Sequence, residues 1–491
     1  MPTNVKENGF ESSIVSWLVQ HNGYEQGSNA DYNKEIAMDE TRLFRFLNTT
    51  QADKMKQLRL ENDPLEKEKF LQRLDQSLHT NGVIDLLRKG FRYKHLVLDM
   101  FYVRPSPGNE TAAKLYAQNI FSVTRQLQYS RQNPLLALDV CLFLNGLPIA
   151  TMELKNQLTK QNAADAVKQY KDERTPDEVL FGFKRCIVHF AVDDNEVRMC
   201  TELKGQKSWF LPFNKGYNDG AGNPPNPDGI KTDYLWKEIL RKDDFSNIIE
   251  NYVQIICDED EETHKKSYKQ IFPRYHQLQL VTSLLADAKR DGVGKRYLIQ
   301  HSAGSGKSNS IAWLAHQLVT LKDATDHNIF DTVIVVTDRV NLDKQIRNTI
   351  RQFMQVSSTV GWAKDSSELG TLLEKGTKII ITIVHKFQFI LEDISKLHTN
   401  RSFAILIDEA HSSQNGDLST KMNIVLSGSE YDNDDLLEDK INTLIDGKKL
   451  AKNASYFAFT ATPKIKRWKC LAGKKFSRTE VNVFFRIMST R

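Results

Sequence analysis

Cysteine is scarce in this sequence: five residues in 491, Cys141, Cys186, Cys200, Cys257 and Cys470, with no C-x-x-C pair among them. That spacing argues against a disulfide framework or a structural zinc site and for a reducing compartment. Long apolar runs are also missing. None approaches the roughly 20 residues that a membrane span needs, so no membrane partner is expected. The N-terminus, Met1-Pro2-Thr3-Asn4-Val5-Lys6, has no basic stretch followed by an apolar one, so no secretion signal is expected and the location is read as cytoplasmic. A strong charge of one sign is the third absence. The net charge is only +5, and residues 464–491 hold nine Lys or Arg against the single acid Glu480, which leaves the rest of the chain slightly acidic. Nucleic-acid binding cannot be argued from that global balance and has to rest on local sites.

What is present is enough chain for about three domains. One stretch organises the reading: Leu298-Ile299-Gln300-His301-Ser302-Ala303-Gly304-Ser305-Gly306-Lys307-Ser308. An apolar run ends in a glycine-rich turn and opens into Ser310–Leu321, where Ile311, Leu314, Ala315 and Leu318 recur at helical spacing. Strand, loop and helix in this order are the context of a phosphate-binding loop. Gly304, Ser305 and Gly306 let backbone N–H groups turn toward phosphate oxygens, Lys307 adds a positive charge, and the Ser308 hydroxyl can ligate Mg²⁺. His301 stands where the usual G-x-x-x-x-G-K-[ST] pattern has its first glycine. Beyond it, the apolar runs Tyr297–Ile299, Val333–Val336, Lys378–Val384, Phe403–Ile407 and Tyr456–Phe459 alternate with helical stretches, which predicts a parallel doubly wound α/β sheet. Asp408-Glu409-Ala410-His411 follows the fourth run, so Asp408 can serve the Mg²⁺ shell of ATP and Glu409 can orient the attacking water.

A second chemical signal lies in the first 205 residues. An opening helix over Phe10–Leu18 and a charged helical stretch over Lys54–Gly82 give way to β-rich runs at Lys94–Val103, Leu135–Leu144, Leu147–Leu154 and Cys186–Val192. Asp139 and then Glu153-Leu154-Lys155 lie on two of them, joined through Asn145-Gly146. Glu153 and Lys155 share a face because side chains on a strand alternate. Asp139 joins them only if a three-residue loop or a bulge restores the parity that a simple two-residue turn would break. On one face, two carboxylates can hold Mg²⁺ beside a phosphodiester, with the lysine placed to meet developing charge. Glu11 and Asp99 are further candidate ligands. An edge strand charged for solubility is the alternative reading.

Leu138-Asp139, Gly146-Leu147-Pro148, Glu153-Leu154-Lys155-Asn156 and Ala166–Tyr170 resemble the N-terminal nuclease of type I restriction endonuclease motor subunits, a branch of the PD-(D/E)xK nucleases. Trp209–Gly216 and Gly220–Asn226 are similar to that family as well. The resemblance implies Asp139 and Glu153 as metal ligands and Lys155 as the catalytic lysine, on a mixed sheet flanked by helices. Gln169 and Tyr170 stand near the place of a Gln-x-x-x-Tyr helix motif of related nucleases, with a packed helix as the alternative. The phosphate loop and the Asp408-Glu409 run resemble superfamily 2 helicases and translocases. That resemblance implies Gln277 as adenine reader, Arg339, Thr382 and Lys386 as contacts to a DNA backbone, and Thr460 and Thr462 in coupling hydrolysis to movement.

The organisation expected is an endonuclease domain at 1–205, a connecting segment at 206–269, a first RecA-like ATPase domain at 270–463 and a basic tail at 464–491 that departs from the family. The family's second RecA-like domain does not follow Pro463, so the chain is expected to bind ATP and turn it over slowly. The implied cofactors are ATP and Mg²⁺. The implied partners are double-stranded DNA and the methyltransferase and specificity subunits of a restriction complex, with sequence recognition left to those subunits. The competing expectations are a helicase or remodeller whose N-terminal sheet only binds DNA, and a fragment that binds the partner subunits without catalysis.

Overall fold

Two neighbouring runs rich in apolar and β-branched residues, Ala137–Leu144 and Leu147–Leu154, form the centre of the first sheet. In chain order its strands are β1 (Glu25–Gln26), β2 (Phe121–Gln128), β3 (Ala137–Leu144), β4 (Leu147–Leu154), β5 (Val188–Val192), β6 (Val197–Cys200) and β7 (Leu211–Pro212), and they lie side by side in that same order. The sheet is mixed, as expected: β3 and β4 are antiparallel, while β4 and β5 run parallel. Every residue of β4 is buried, because helix α1 (Glu7–Gln20) and helix α2 (Ala163–Glu173) both pack on it. Burying one such aliphatic side chain stabilises by roughly 1.5–3 kcal/mol.

The computed structural model describes residues 7–105, 108–156, 160–218, 220–259, 263–302, 304–337, 349–350, 360–363, 366–383, 400–408, 453–460 and 484–487. The chain forms two units, Met1–Tyr275 and His276–Arg491. Residues 206–269, expected to connect two domains, instead fold into the first unit. Their apolar side chains have partners there: Leu235, Trp236, Phe245, Ile248 and Ile249 are buried, and the Gln270 amide donates to the carbonyls of Cys186 and Ile187 at 2.8 Å each. Gln270 belongs to the antiparallel hairpin of β8 (Gln254–Glu259) and β9 (Lys266–Ile271).

The second unit holds a seven-stranded, wholly parallel sheet. Its strands are β10 (Arg296–His301), β11 (Thr332–Thr337), β12 (Val360–Trp362), β13 (Ile379–Ile383), β14 (Phe403–Ile407), β15 (Ala454–Thr460) and β16 (Phe484–Ile487). They are ordered β12-β13-β11-β14-β15-β10-β16. Each of the five apolar runs contributes a strand, and β11, flanked on both sides, is buried throughout. The strand β16 lies in the segment set apart as a basic tail. The β-prone stretch Phe484–Ile487 pairs its backbone with β10 despite the basic composition of the segment. No helix among the described residues is long and apolar enough to cross a membrane.

The β3–β4 turn fixes the register on which the first sheet depends. Asn145 and Gly146 take positive φ, +52° and +83°, as a two-residue hairpin turn requires. A Cβ at Gly146 would lie 2.4 Å from the Asp39 carbonyl oxygen and 2.7 Å from the Leu43 nitrogen, both backbone atoms. Gly146→Ala is therefore expected to cost about 2–4 kcal/mol, from the positive φ together with the overlap, measured by urea unfolding of the chain.

Candidate active site and nucleotide loop

The parity required of Asp139 is restored by a bulge. Leu144 pairs with Leu147 and Phe143 with Pro148, but Leu142 then pairs with Ala150, Cys141 with Thr151 and Val140 with Met152, which leaves Ile149 as the extra residue. One step further along this register sets Asp139 across from Glu153, so the two carboxylates share a face, with Lys155 two residues on. Asp139 Oδ2 also accepts the Leu154 N–H at 2.8 Å. Lys155 is 8% exposed and its N–H donates to Val192 at the end of β5.

This face is covered by α2. Thr151, on the same side as Glu153, shares a hydrogen bond of 2.8 Å with the Tyr170 hydroxyl and one of 2.7 Å with His189 Nδ1. Tyr170 is thus a packing residue of α2, and the Gln169 amide donates along the helix to Glu173. Glu153 is fully buried, and one of its oxygens, Oε1, accepts from Arg174 Nε at 2.5 Å. Burial pushes the Glu153 carboxyl up to about 8, and the charge of Asp139 pushes the same way, against Arg174. Glu153 Oε2 is buried without a hydrogen-bond partner among the described residues.

A buried carboxylate oxygen left unpaired beside a second carboxylate fits a divalent cation. Asp139 and Glu153 could hold Mg²⁺, which keeps several waters and needs few protein ligands. No cluster of three or more His, Cys, Asp or Glu poised for a metal occurs among the described residues. Glu11 has another task. It accepts from Arg125 Nε at 2.5 Å and from Gln126 at 2.8 Å, and Gln126 reaches on to Asp139 Oδ1 at 3.2 Å. Asp99 pairs with Lys54 near the surface at 3.6 Å. Sequence reasoning missed Gln126 and Arg174. The first takes a left-handed φ of +45°, invisible in a strand pattern, and the second reads as an ordinary cation closing a helix. A cavity of about 910 Å³, lined in part by Phe44, Met55 and Arg59, contains none of the predicted residues.

In the second unit β10 ends at His301 and helix α3 (Lys307–Thr320) begins at the lysine. Lys307 Nζ lies 3.0 Å from Asp408 Oδ1, so the loop lysine and the carboxylate after β14 meet. His301 does more than fill a glycine position. The Ser305 hydroxyl donates to Ser302 O at 2.5 Å and meets His301 Nδ1, while His301 Nε2 meets the Ser310 hydroxyl at 3.0 Å. Since the Ser305 proton is committed to Ser302, Nδ1 carries the imidazole proton and Nε2 accepts from Ser310. The fully buried ring thus ties the loop to the first turn of its helix. Gln277 braces the same loop: its amide nitrogen donates to Gly306 O at 3.0 Å and Ser305 O at 3.3 Å. A Cβ at Gly306, where φ is +85°, would come within 2.4 Å of that nitrogen and displace the Gln277 amide. Adenine reading by Gln277 would require the amide to turn away from these carbonyls.

Thr460 pairs with Gln300 beside the loop and is buried. Thr382, expected to contact a DNA backbone, is fully buried in a strand flanked on both sides and presents no side-chain surface there. Glu409, Arg339, Lys386 and Thr462 lie outside the described residues.

Two family models match the chain. Residues 4–208 match the type I restriction enzyme R protein N terminus, and residues 276–484 match the SWI2/SNF2 ATPase, whose match runs well past Pro463. Among the relatives, the type I restriction enzyme HindI endonuclease subunit of Haemophilus influenzae is 25% identical over 315 residues, 61% of this chain and 28% of that protein. The type I restriction enzyme SauMSSORF170P endonuclease subunit of Staphylococcus aureus is 25% identical over 496 aligned residues, 99% of this chain and 45% of that protein. The chain therefore spans under half the length of these curated relatives. The UvsW helicase of bacteriophage T4 matches at 12% identity with a TM-score of 0.28, over 48% of this chain and 64% of that one, too weak a likeness to bear on the fold.

Two outcomes follow from these geometries. His301→Gly, which restores the usual loop pattern, should weaken binding of a fluorescent ADP analogue roughly tenfold, since two hydrogen bonds that hold the loop are lost. Burial lowers His189 from 6.5 to about 3, so between those values the folded chain binds fewer protons than the unfolded one. Stability from this residue is complete above about 6.5 and is lost as the pH falls toward 3; His189→Gln should flatten that part of the acid-unfolding profile.

Proposed function

We propose that this chain, a relative of the R subunits of type I restriction enzymes with a helicase-like ATPase domain, is the part of such an enzyme that cuts DNA and drives its ATP-dependent translocation. One observation carries the reading. The bulge at Ile149 brings Asp139, Glu153 and Lys155 to one face while Glu153 Oε2 stays buried and unpartnered among the described residues. Charges placed on an edge strand for solubility would be exposed, and Glu153 is not.

In the first unit Asp139 and Glu153 would hold Mg²⁺, whose chemistry there is to polarise a phosphodiester and acidify a bound water. Lys155 meets the negative charge that grows on the phosphate as the nucleophile adds. In the second unit the N–H groups of Gly304–Ser308 surround phosphate oxygens of ATP. Lys307 would exchange Asp408 for the terminal phosphates, and Ser308 and Asp408 would hold the accompanying Mg²⁺. Glu409 orients the attacking water, Arg339 and Lys386 touch the DNA backbone without reading sequence, and Thr460 and Thr462 link hydrolysis to movement. Methyltransferase and specificity subunits complete the complex and choose the site on double-stranded DNA in the cytoplasm.

The test uses the chain assembled with its modification and specificity subunits on circular duplex DNA. Asp139→Asn should lower ATP- and Mg²⁺-dependent cutting by about 100-fold or more while ATP binding stays unchanged. Lys307→Ala should weaken ATP binding at least about tenfold. Undiminished cutting by Asp139→Asn would leave a DNA-binding ATPase in place of a nuclease.

A further inference from the structure

Arg174 closes helix α2 and has no part in the sequence pattern that singled out Asp139, Glu153 and Lys155. Its side chain is 2% exposed, and each of its guanidinium nitrogens donates to a different strand or strand end. Nε bonds Glu153 Oε1 on β4 at 2.5 Å, Nη2 bonds the Ala137 carbonyl at the start of β3 at 2.9 Å, and Nη1 bonds the hydroxyl of Tyr129, just past β2, at 3.0 Å. The Tyr129 ring also lies under the cation, 5.3 Å from centroid to Cζ.

The pairing of Arg174 with Glu153 is incomplete in an informative way. A guanidinium that serves only to neutralise a buried carboxylate does so best through two parallel N–H···O bonds. Here one nitrogen meets one oxygen, the other two are anchored elsewhere, and Glu153 Oε2 stays without a partner among the described residues. Since the anchors lie on three successive strands, the carboxylate cannot rotate without breaking a bond to a guanidinium that is itself immobile. Oε2 is therefore held at a fixed place on the face it shares with Asp139.

We propose that Arg174 is a positioning residue of the nuclease centre, which locks Glu153 as a donor of a single oxygen to a divalent cation shared with Asp139. The inference rests on the nuclease reading of this face. A merely structural cap of α2 would support the fold without affecting metal affinity, whereas a residue that orients a metal ligand typically changes affinity tenfold to a hundredfold when it is replaced.

The experiment titrates the full chain with Mn²⁺ alone, without nucleotide, and follows free Mn²⁺ by electron paramagnetic resonance. The binding removed by Asp139→Asn defines the site. Arg174→Lys keeps the charge but loses the three-way geometry, and should weaken that binding about tenfold or more. Tyr129→Phe removes one anchor, leaves Glu153 paired and should weaken it roughly two- to fivefold, so the inference can be judged even if Arg174→Lys fails to fold. Urea midpoints in EDTA give the accompanying loss of stability. Wild-type affinity in Tyr129→Phe and in a folded Arg174→Lys, whatever their stability, would overturn the positioning role, and tighter binding would mean that the guanidinium competes with the metal. Wild-type chain without any Mn²⁺ binding sensitive to Asp139→Asn would instead remove the nuclease reading and this inference with it.

Discussion

A carboxylate taken out of water costs several kcal/mol unless something pairs with it, and both proposed centres of this chain are built around that cost. Glu153 is fully buried and leans on Arg174; Asp408 is nearly so and leans on Lys307. The two cations differ in a way that suits their places. Arg174 is a planar fork held by three anchors, so its pairing persists. Lys307 is a point charge on a flexible stem, so its pairing with Asp408 can be exchanged for a phosphate.

The sheets supply the rest. In the first unit a mixed sheet brings β3 and β4 together antiparallel, and the extra residue at Ile149 sets which side chains face α2. In the second unit a parallel sheet places β10, β14 and β15 so that the loop after one strand meets the carboxylate after another. The glycine-rich loop proposed to take phosphate is braced from within the fold: His301 ties Ser305 to Ser310, and Gln277 holds the carbonyls of Ser305 and Gly306. Ordering the loop within the fold lowers the entropy left to lose on binding.

Much of this was legible in advance because it is local. β-rich runs located β3, β4 and β5, continuous apolar runs located five strands of the second sheet, and a glycine-rich turn between strand and helix located the loop before α3. Asp139 and Glu153 could share a face only through a bulge or a longer loop between them, and a two-residue turn with a bulge is what the backbone adopts. The rest depended on distant contacts. Residues 206–269 were expected to connect two domains, yet their apolar side chains found a core to join. Thr382 is given to a DNA backbone by resemblance alone, yet its side chain is buried within the parallel sheet.

The sequence by itself determined the chemical alphabet of the two proposed centres: Asp139, Glu153 and Lys155 in one, and Gly304–Ser308 with Asp408 in the other. Residue type and short-range spacing carry that information, since the alternation of a strand and the opening of a helix are properties of a few consecutive residues. Only the tertiary structure decided that Glu153 keeps one oxygen unpartnered among the described residues, that Arg174 holds the other, and that His301 knits a loop where a glycine was expected. Arg174 lies 21 positions from Glu153 and reaches it because a helix packs across the sheet, and such a contact leaves no local pattern in the chain.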